Sequence, residues 1–308
     1  MNSPQKVPSR LFCVYDLAKA PITFDFSTYL AIADCYRQLS GLDLLSVQVQ
    51  AHQFRMFTDR DRQMPMDEKF WRIRNIFQGC ASLVPTLAEF KVSAFPLEQI
   101  NGHTFPPNLA DKPTYTATYL VNLHRQGADP KVLRASAYAK RMMLNLYGEE
   151  FITITLRTSR HFPDHNPDME DWYKFYQYVT STGMKVVVIP DQEDIFTDKR
   201  YAKYDWLTSE EGALDMGVRF GLYELAKTNF CSSNGPSAPM FYSNCSVYQF
   251  DQLRGTGMHA DHTFWRNING IEVGENFEWN RPDQRQTWVN SDFETLKKYY
   301  DQWVKDFS

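Results

Sequence analysis

Short apolar, β-branched runs alternate with amphipathic stretches along most of this chain, and the alternation is sharpest between Phe151 and Asp194. Phe151–Leu156 (FITITL) is apolar on both faces, which suits a strand buried inside a parallel sheet. Downstream, Asn166 can cap a helix, Pro167 falls at the first helical position, and Asp168, Glu170 and Asp171 fill a first turn where the helix dipole favours acids. Met169, Trp172, Tyr176 and Val179 recur at spacings of three and four, and Gly183 supplies the stop. Lys185–Pro190 (KVVVIP) then reads as the next strand. A right-handed crossover makes the two strands parallel and puts Arg157, Arg160, Asp191 and Glu193 along their carboxyl edge, where open α/β sheets bind ligands.

The same alternation predicts the rest of the architecture. Leu11–Tyr15 reads as a strand ending at Asp16, Phe26–Leu39 as a helix stopped by Gly41, and Leu44–Val49 as a second strand. A helix over 67–83, a strand over 90–94, a proline-bearing loop over 96–114 and helices over 116–125 and 131–146 complete a first half. In the second half, Thr208 and Glu211 form a capping box for a helix running to about Lys227. Strands follow at Phe230–Ser232 and Ser246–Phe250, then an irregular stretch over 251–290 and an amphipathic helix over 292–306. The expected class is α/β, with a boundary near Gly148 giving domains 1–148 and 149–308.

With 308 residues the chain has room for two such cores, and its 43% hydrophobic and 15% aromatic content excludes a disordered protein. A net charge of −4 argues against nucleic acid as a general partner. The five cysteines, at 13, 35, 80, 231 and 245, form no CxxC pair and leave one over, as expected of reduced thiols in a cytoplasmic protein. No secretory h-region or membrane-length apolar run is present. There is no GxGxxG, Walker A, HExxH or GxSxG motif, which removes support for dinucleotide oxidoreductases, P-loop enzymes, zincins and α/β-hydrolases.

Four constellations can carry chemistry. In Ser233-Asn234-Gly235-Pro236-Ser237, Gly235 permits close backbone approach, Pro236 suits the first helical position, and the following N–H groups with the Ser237 hydroxyl suit a phosphate. Arg157 and Arg160 offer planar forks of donors for phosphate, although Asp164, Asp168 and Glu170 are equally good partners for Arg160. Asp191, Glu193 and Asp194 can accept ribose hydroxyls, hold a divalent metal between neighbours, or form a plain acidic turn. Asp16 and Asp25 flank the first strand-to-helix loop, where a carboxylate can act as general base, and Asp25 can equally cap the following helix. His259 and His262 have no third ligand beside them, so no metal is expected there. The basic and aromatic segment 52–74 reads either as a surface for an anionic acceptor or headgroup layer, or as a solvated face whose charge Asp59, Asp61, Asp67 and Glu68 offset.

With ITITLR opening its second half and SNGPS after a later strand, the chain resembles glycosyltransferases of the GT-B fold. The SNGPS turn is similar to the serine/glycine/proline turn of bacterial heptosyltransferases, and the strand ending in Arg157 to the arginine-bearing strand of fucosyltransferases. YDLAKAPITFDF and EKFWRIRNIF resemble bacterial proteins of surface-polysaccharide biosynthesis. The resemblance implies two Rossmann-like domains facing a cleft and a nucleotide-sugar donor as substrate, with no cofactor. It implies a glycan or lipid-linked acceptor and allows peripheral membrane association. It makes Arg157, Arg160, Asn234, Gly235 and Ser237 diphosphate contacts, Asp191 and Glu193 nucleoside contacts, and Asp25, or Asp16 second, the base. The paired-glutamate helix motif of retaining enzymes is absent, which favours inversion. A nucleotide-sugar epimerase or a non-catalytic binding or assembly protein on the same fold are the rival readings.

Overall fold

A computed structural model describes residues 7–96, 102–109, 111–159, 163–196, 200–255 and 260–307. The chain divides into two compact units, Met1–Leu133 and Arg134–Ser308. The helix Ala137–Tyr147, which the sequence places at the close of the first half, therefore belongs to the second unit, where it packs on the helix Met216–Leu225.

In the first unit, β1 (Arg10–Asp16), β2 (Leu44–Gln50), β3 (Leu87–Ser93) and β4 (His103–Phe105) form an all-parallel sheet in the order β3-β2-β1-β4. One face, with Leu11, Cys13 and Tyr15 beside Leu45, Val47 and Val49, is fully buried. Tyr15 stands edge-on to Phe26, Tyr29 and Phe77, and Phe26 stacks on Phe77 at 4.3 Å. The helix Asp25–Leu39 is buried from Phe26 to Cys35, with Ser27, Thr28 and Asp34 enclosed among its apolar residues, so it is covered on every side rather than along one stripe. The stretch predicted as one helix over 67–83 runs from Met66 to Ala81 with a π-type turn at Ile73–Phe77.

In the second unit, β5 (Phe151–Thr155), β6 (Lys185–Ile189), β7 (Asn229–Ser232), β8 (Val247–Phe250) and β9 (Gln284–Gln286) form a second parallel sheet in the order β6-β5-β7-β8-β9. Trp172, Phe175, Phe230 and Phe250 are fully buried at its centre. The helix Met169–Ser181 is capped by Asp168, which accepts from the Glu170 amide at 2.8 Å, rather than by Asn166. The helix predicted to run to Lys227 is broken at Asp215, whose side chain caps the second half by accepting from Val218 N. Ser209 rather than Thr208 caps the first half.

Close helix contact depends on Gly221, where an added Cβ would lie 3.1 Å from the carbonyl carbon and 3.2 Å from the carbonyl oxygen of Ala139. Overpacking there costs about 1–3 kcal/mol, against a helix-propensity gain of up to about 1 kcal/mol. Gly221→Ala is accordingly expected to lower the thermal unfolding midpoint by a net loss of about 1 kcal/mol.

Candidate functional site

The two strand orders create two switch points. In the second sheet the chain leaves β5 for β6 on one side and later returns to β7 on the other, so the switch point, where open α/β sheets bind ligands, falls at the carboxyl ends of β5 and β7. Arg157 lies there, immediately past β5, and its amide donates to Ser232 Oγ at the end of β7 (3.1 Å). Its Nη1 donates to Asn166 Oδ1 at 2.5 Å, and Asn166 donates back to the Ser159 carbonyl. Arg157 is half-buried.

The turn 233–237 follows β7 at the same edge. Asn234 caps the 3₁₀ helix Gly235–Tyr242, accepting from the Ser237 amide at 2.9 Å and donating to the Ser232 carbonyl at 2.7 Å. Gly235 is exposed. Ser237 is fully buried, and its hydroxyl donates to the Asn234 carbonyl while accepting from Gln249 Nε2, each at 2.7 Å. That hydroxyl is committed to shaping the turn, so the part of the turn presented outward is Gly235.

Asp191 lies past β6 and accepts from the Thr158 amide at 3.3 Å, which ties the two strand ends together. Thr158, missed in the sequence, is only 3% exposed, and its hydroxyl has no hydrogen-bond partner among the described residues. Asp194 is fully buried and accepts from Arg200 Nε (3.1 Å) and the Arg200 and Tyr201 amides, so it closes its own loop. Tyr201 donates to Glu210, and burial, followed by that bond, pushes its hydroxyl up to about 12. Arg160 and His259 lie outside the described residues; Glu193 falls in the helix Gln192–Phe196, its side chain likewise outside the description.

In the first sheet the chain steps from β1 to β2 and β3 on one side and places β4 on the other, so the switch point is at β1, which ends in Asp16. Asp16 is 3% exposed; its carboxylate accepts from the Ala18 amide (2.9 Å), approaches Lys19 Nζ (3.2 Å) and lies 2.7 Å from His52 Nε2. Asp25 begins its helix without capping it; its Oδ2 accepts from the Thr23 hydroxyl at 2.7 Å. Of the two carboxylates, Asp16 is at the switch point. In the sequence His52 is one residue of the basic and aromatic segment 52–74; only the fold pairs it with a residue 36 positions earlier.

Within the basic segment Arg62 pairs with Asp59 (2.9 Å) and Arg72 with Glu68 (2.8 Å). Lys69 is buried, with its ammonium 4.3 Å over Phe57. All five cysteines are buried and outside any disulfide, and burial raises the thiols of Cys13, Cys35 and Cys231 far above the ordinary range, which makes them poor nucleophiles. Among the described residues no group of three His, Cys, Asp or Glu side chains could hold a metal ion, and no helix is long and apolar enough to cross a membrane.

Two parallel α/β sheets with charged residues at their switch points are the framework of nucleotide-binding α/β proteins. The chain is similar to several solved structures. A glycosyl transferase family 9 protein from Veillonella parvula matches over 99% of this chain and 100% of its own, at 10% identity and a TM-score of 0.51. ADP-heptose lps heptosyltransferase II of E. coli matches over 97% and 100%, at 10% identity and a TM-score of 0.47. A putative UDP-N-acetylglucosamine 2-epimerase from Listeria monocytogenes matches over 98% and 89%, at 11% identity and a TM-score of 0.36. No family model and no curated protein matches the sequence. At this identity the likeness is one of fold, and it is the GT-B glycosyltransferase fold that the Veillonella protein shares.

Proposed function

We propose that this protein transfers a sugar from a nucleotide-diphosphate donor to a hydroxyl of a glycan or lipid-linked acceptor, with inversion and without a metal. The second unit is the donor-binding one and the first the acceptor-side one. The observation that carries the reading is Arg157 at the β5/β7 switch point, fixed through its amide to Ser232 and followed at the same edge by the Gly235 turn. A diphosphate needs this combination: a guanidinium that never loses its charge and a backbone with no side chain in the way. Asp191, which accepts from the Thr158 amide past β6, stands on the nucleoside side. Developing charge on the departing diphosphate is stabilised by Arg157, and the general base is assigned to Asp16 rather than Asp25.

Thermal-shift titration with UDP, GDP, CDP and ADP tests the reading, because a ligand bound only to the folded state raises its melting midpoint. One of the four is expected to stabilise the protein. Arg157→Ala removes a charged hydrogen-bonding partner worth about 1.5–3 kcal/mol, so it is expected to weaken that nucleotide roughly 10–100-fold. Arg157→Lys, which keeps the charge and loses the fork, is expected to fall between. Unchanged affinity in folded Arg157→Ala would remove the site from Arg157, and no shift with any nucleotide would favour a non-catalytic protein.

A further inference from the structure

We propose that this chain forms a reversible two-fold dimer in which the open edge of β3 pairs antiparallel with the same edge of a second copy, the axis passing through Phe90. The contact lies within the first unit and stands whether or not the chain transfers a sugar.

β3 is an edge strand: among the described residues it pairs with β2 alone. Which of its peptide groups are already used follows from its end. The Ser93 carbonyl accepts from the Ala51 amide at 2.8 Å, so Ser93 turns its backbone groups toward β2, and by alternation Lys91 and Glu89 do the same. The N–H and C=O groups of Phe90 and Val92 therefore point away from the sheet, where no described strand meets them. A row of unpaired groups of this kind is a template for another strand.

The side chains favour a second copy of this same strand. By register Phe90 and Val92 share the face of Val47 and Val49, and Phe90 stands edge-on to Phe26 at 6.4 Å. That apolar layer runs out to the edge uncovered: Val92 is 40% exposed, and Phe95, just past the strand, 66%. On the opposite face Glu89 and Lys91 are both exposed, and neither has a hydrogen-bond or ion-pair partner among the described residues. A charge of one sign blunts an edge strand by repelling its own kind, whereas one acid and one base on the same face are complementary to themselves. The bulge that shifts the register of β3 on β2 lies at its start, between the partners of Leu45 and Ser46, and leaves Glu89–Ser93 regular.

The two-fold axis decides what each residue meets. In an antiparallel pair, outward-facing peptide groups must meet outward-facing ones, so the axis passes through a residue rather than between two. An axis at Glu89 or at Lys91 sets like charges opposite each other, and one at Val92 sets Lys91 against Ser93. At Phe90 it sets Glu89 opposite Lys91 of the second copy, and Lys91 opposite its Glu89. There Phe90 exchanges both of its hydrogen bonds with Phe90 of the second copy, and Val92 falls against Ala88 on the apolar face. The two four-stranded sheets become one, with the apolar layer continuous across the axis. A single strand pair is at the small end of protein interfaces, so the dimer forms and dissociates with concentration.

Sedimentation equilibrium of the full chain over a concentration series tests the proposal. The parent protein is expected to pass from the mass of one chain toward that of two. Lys91→Glu sets acid against acid at both positions and Glu89→Lys sets base against base, so each is expected to weaken self-association about tenfold or more. Both side chains are exposed, so the thermal unfolding midpoint of each variant should match the parent's. Mixed together, the two variants are expected to associate as strongly as the parent, because each then meets the opposite sign at both positions. A monomeric parent at every concentration would overturn the proposal. Self-association that survives either charge reversal within about twofold, or a mixture that associates no better than its components, would place any dimer on another surface and overturn it equally.

Discussion

Trp172→Ala is expected to cost about 3–5 kcal/mol of stability, the range for truncating a large aromatic in a core that collapses only in part. Trp172 is fully buried, edge-on to Phe175 and Phe250 at 6.0 and 6.1 Å, and its Nε1 donates to Ser291 Oγ at 3.0 Å. Ser291 in turn donates its hydroxyl and its amide to Asp251, at 2.6 and 2.9 Å. Burial raises the Asp251 carboxyl above its ordinary value, and the bonds from Ser291 oppose that rise. Removing the indole therefore opens a cavity and loosens the serine that supports a buried carboxylate held at φ 63°. At roughly 2–4 °C per kcal/mol for a unit of this size, the melting midpoint should fall on the order of 10 °C. Trp172→Phe keeps most of the ring and loses only the donor, so about 1–3 kcal/mol is expected. Equal losses in the two variants would assign the effect to the hydrogen-bond chain rather than to volume.

Asp251 also gives a sign to the pH dependence. Its raised folded-state value means that its contribution is fully present below its unfolded value and is lost as pH rises through the folded one. Asp292 acts in the opposite sense: the Thr295 amide holds its carboxyl below the ordinary value, so its contribution is present above the unfolded value and lost as pH falls through the folded one.

What could be read from the sequence follows from how locally each feature is determined. β5, the helix after it and β6 were legible because FITIT and KVVVI are buried within a parallel sheet, which demands a continuous apolar run. β9 was not, since Gln284-Arg285-Gln286 has no apolar residue and is a strand only because it completes the edge beside β8. β4 was hidden in the same way among prolines, as three residues pairing with Leu11–Cys13. The helix expected from Lys131 begins at Ala137, because Ser136 caps it by accepting from the Ala139 amide. At the candidate site, Arg157 and the 233–237 turn were legible as neighbours of predicted strand ends. The inward commitment of Ser237 was not, because it depends on Gln249 across the sheet edge, and no local pattern signals the approach of His52 to Asp16.

Gln284→Leu is expected to destabilise the second unit by about 3 kcal/mol and, in the same variant, to weaken nucleotide binding. Gln284 is fully buried, and its Nε2 faces the carbonyls of Met240 (3.3 Å), Ser243 (3.0 Å) and Cys245 (2.7 Å). An amide nitrogen has two hydrogens, and the Met240 carbonyl already accepts from the Ser243 amide and hydroxyl. The bonds that matter are thus those to Ser243 and Cys245, and leucine leaves both carbonyls facing an apolar side chain at about 1–3 kcal/mol each. These carbonyls end the segment that begins at Gly235, so slack at its far end reaches the turn proposed to hold the diphosphate. Gln284→Glu separates hydrogen bonding from shape: nearly isosteric, it turns the donor into an acceptor that faces two carbonyls from a buried site. Above the carboxylate range it should therefore destabilise at least as much as leucine, because its buried charge would face two carbonyls with the Arg281 amide, which donates to Oε1 at 3.2 Å, as its remaining partner. Thermal unfolding with and without the stabilising nucleotide reads both effects. A glutamate variant as stable as the parent would mean that Gln284 fills space rather than tethers the segment, and an unchanged nucleotide shift in Gln284→Leu would uncouple the tether from the site.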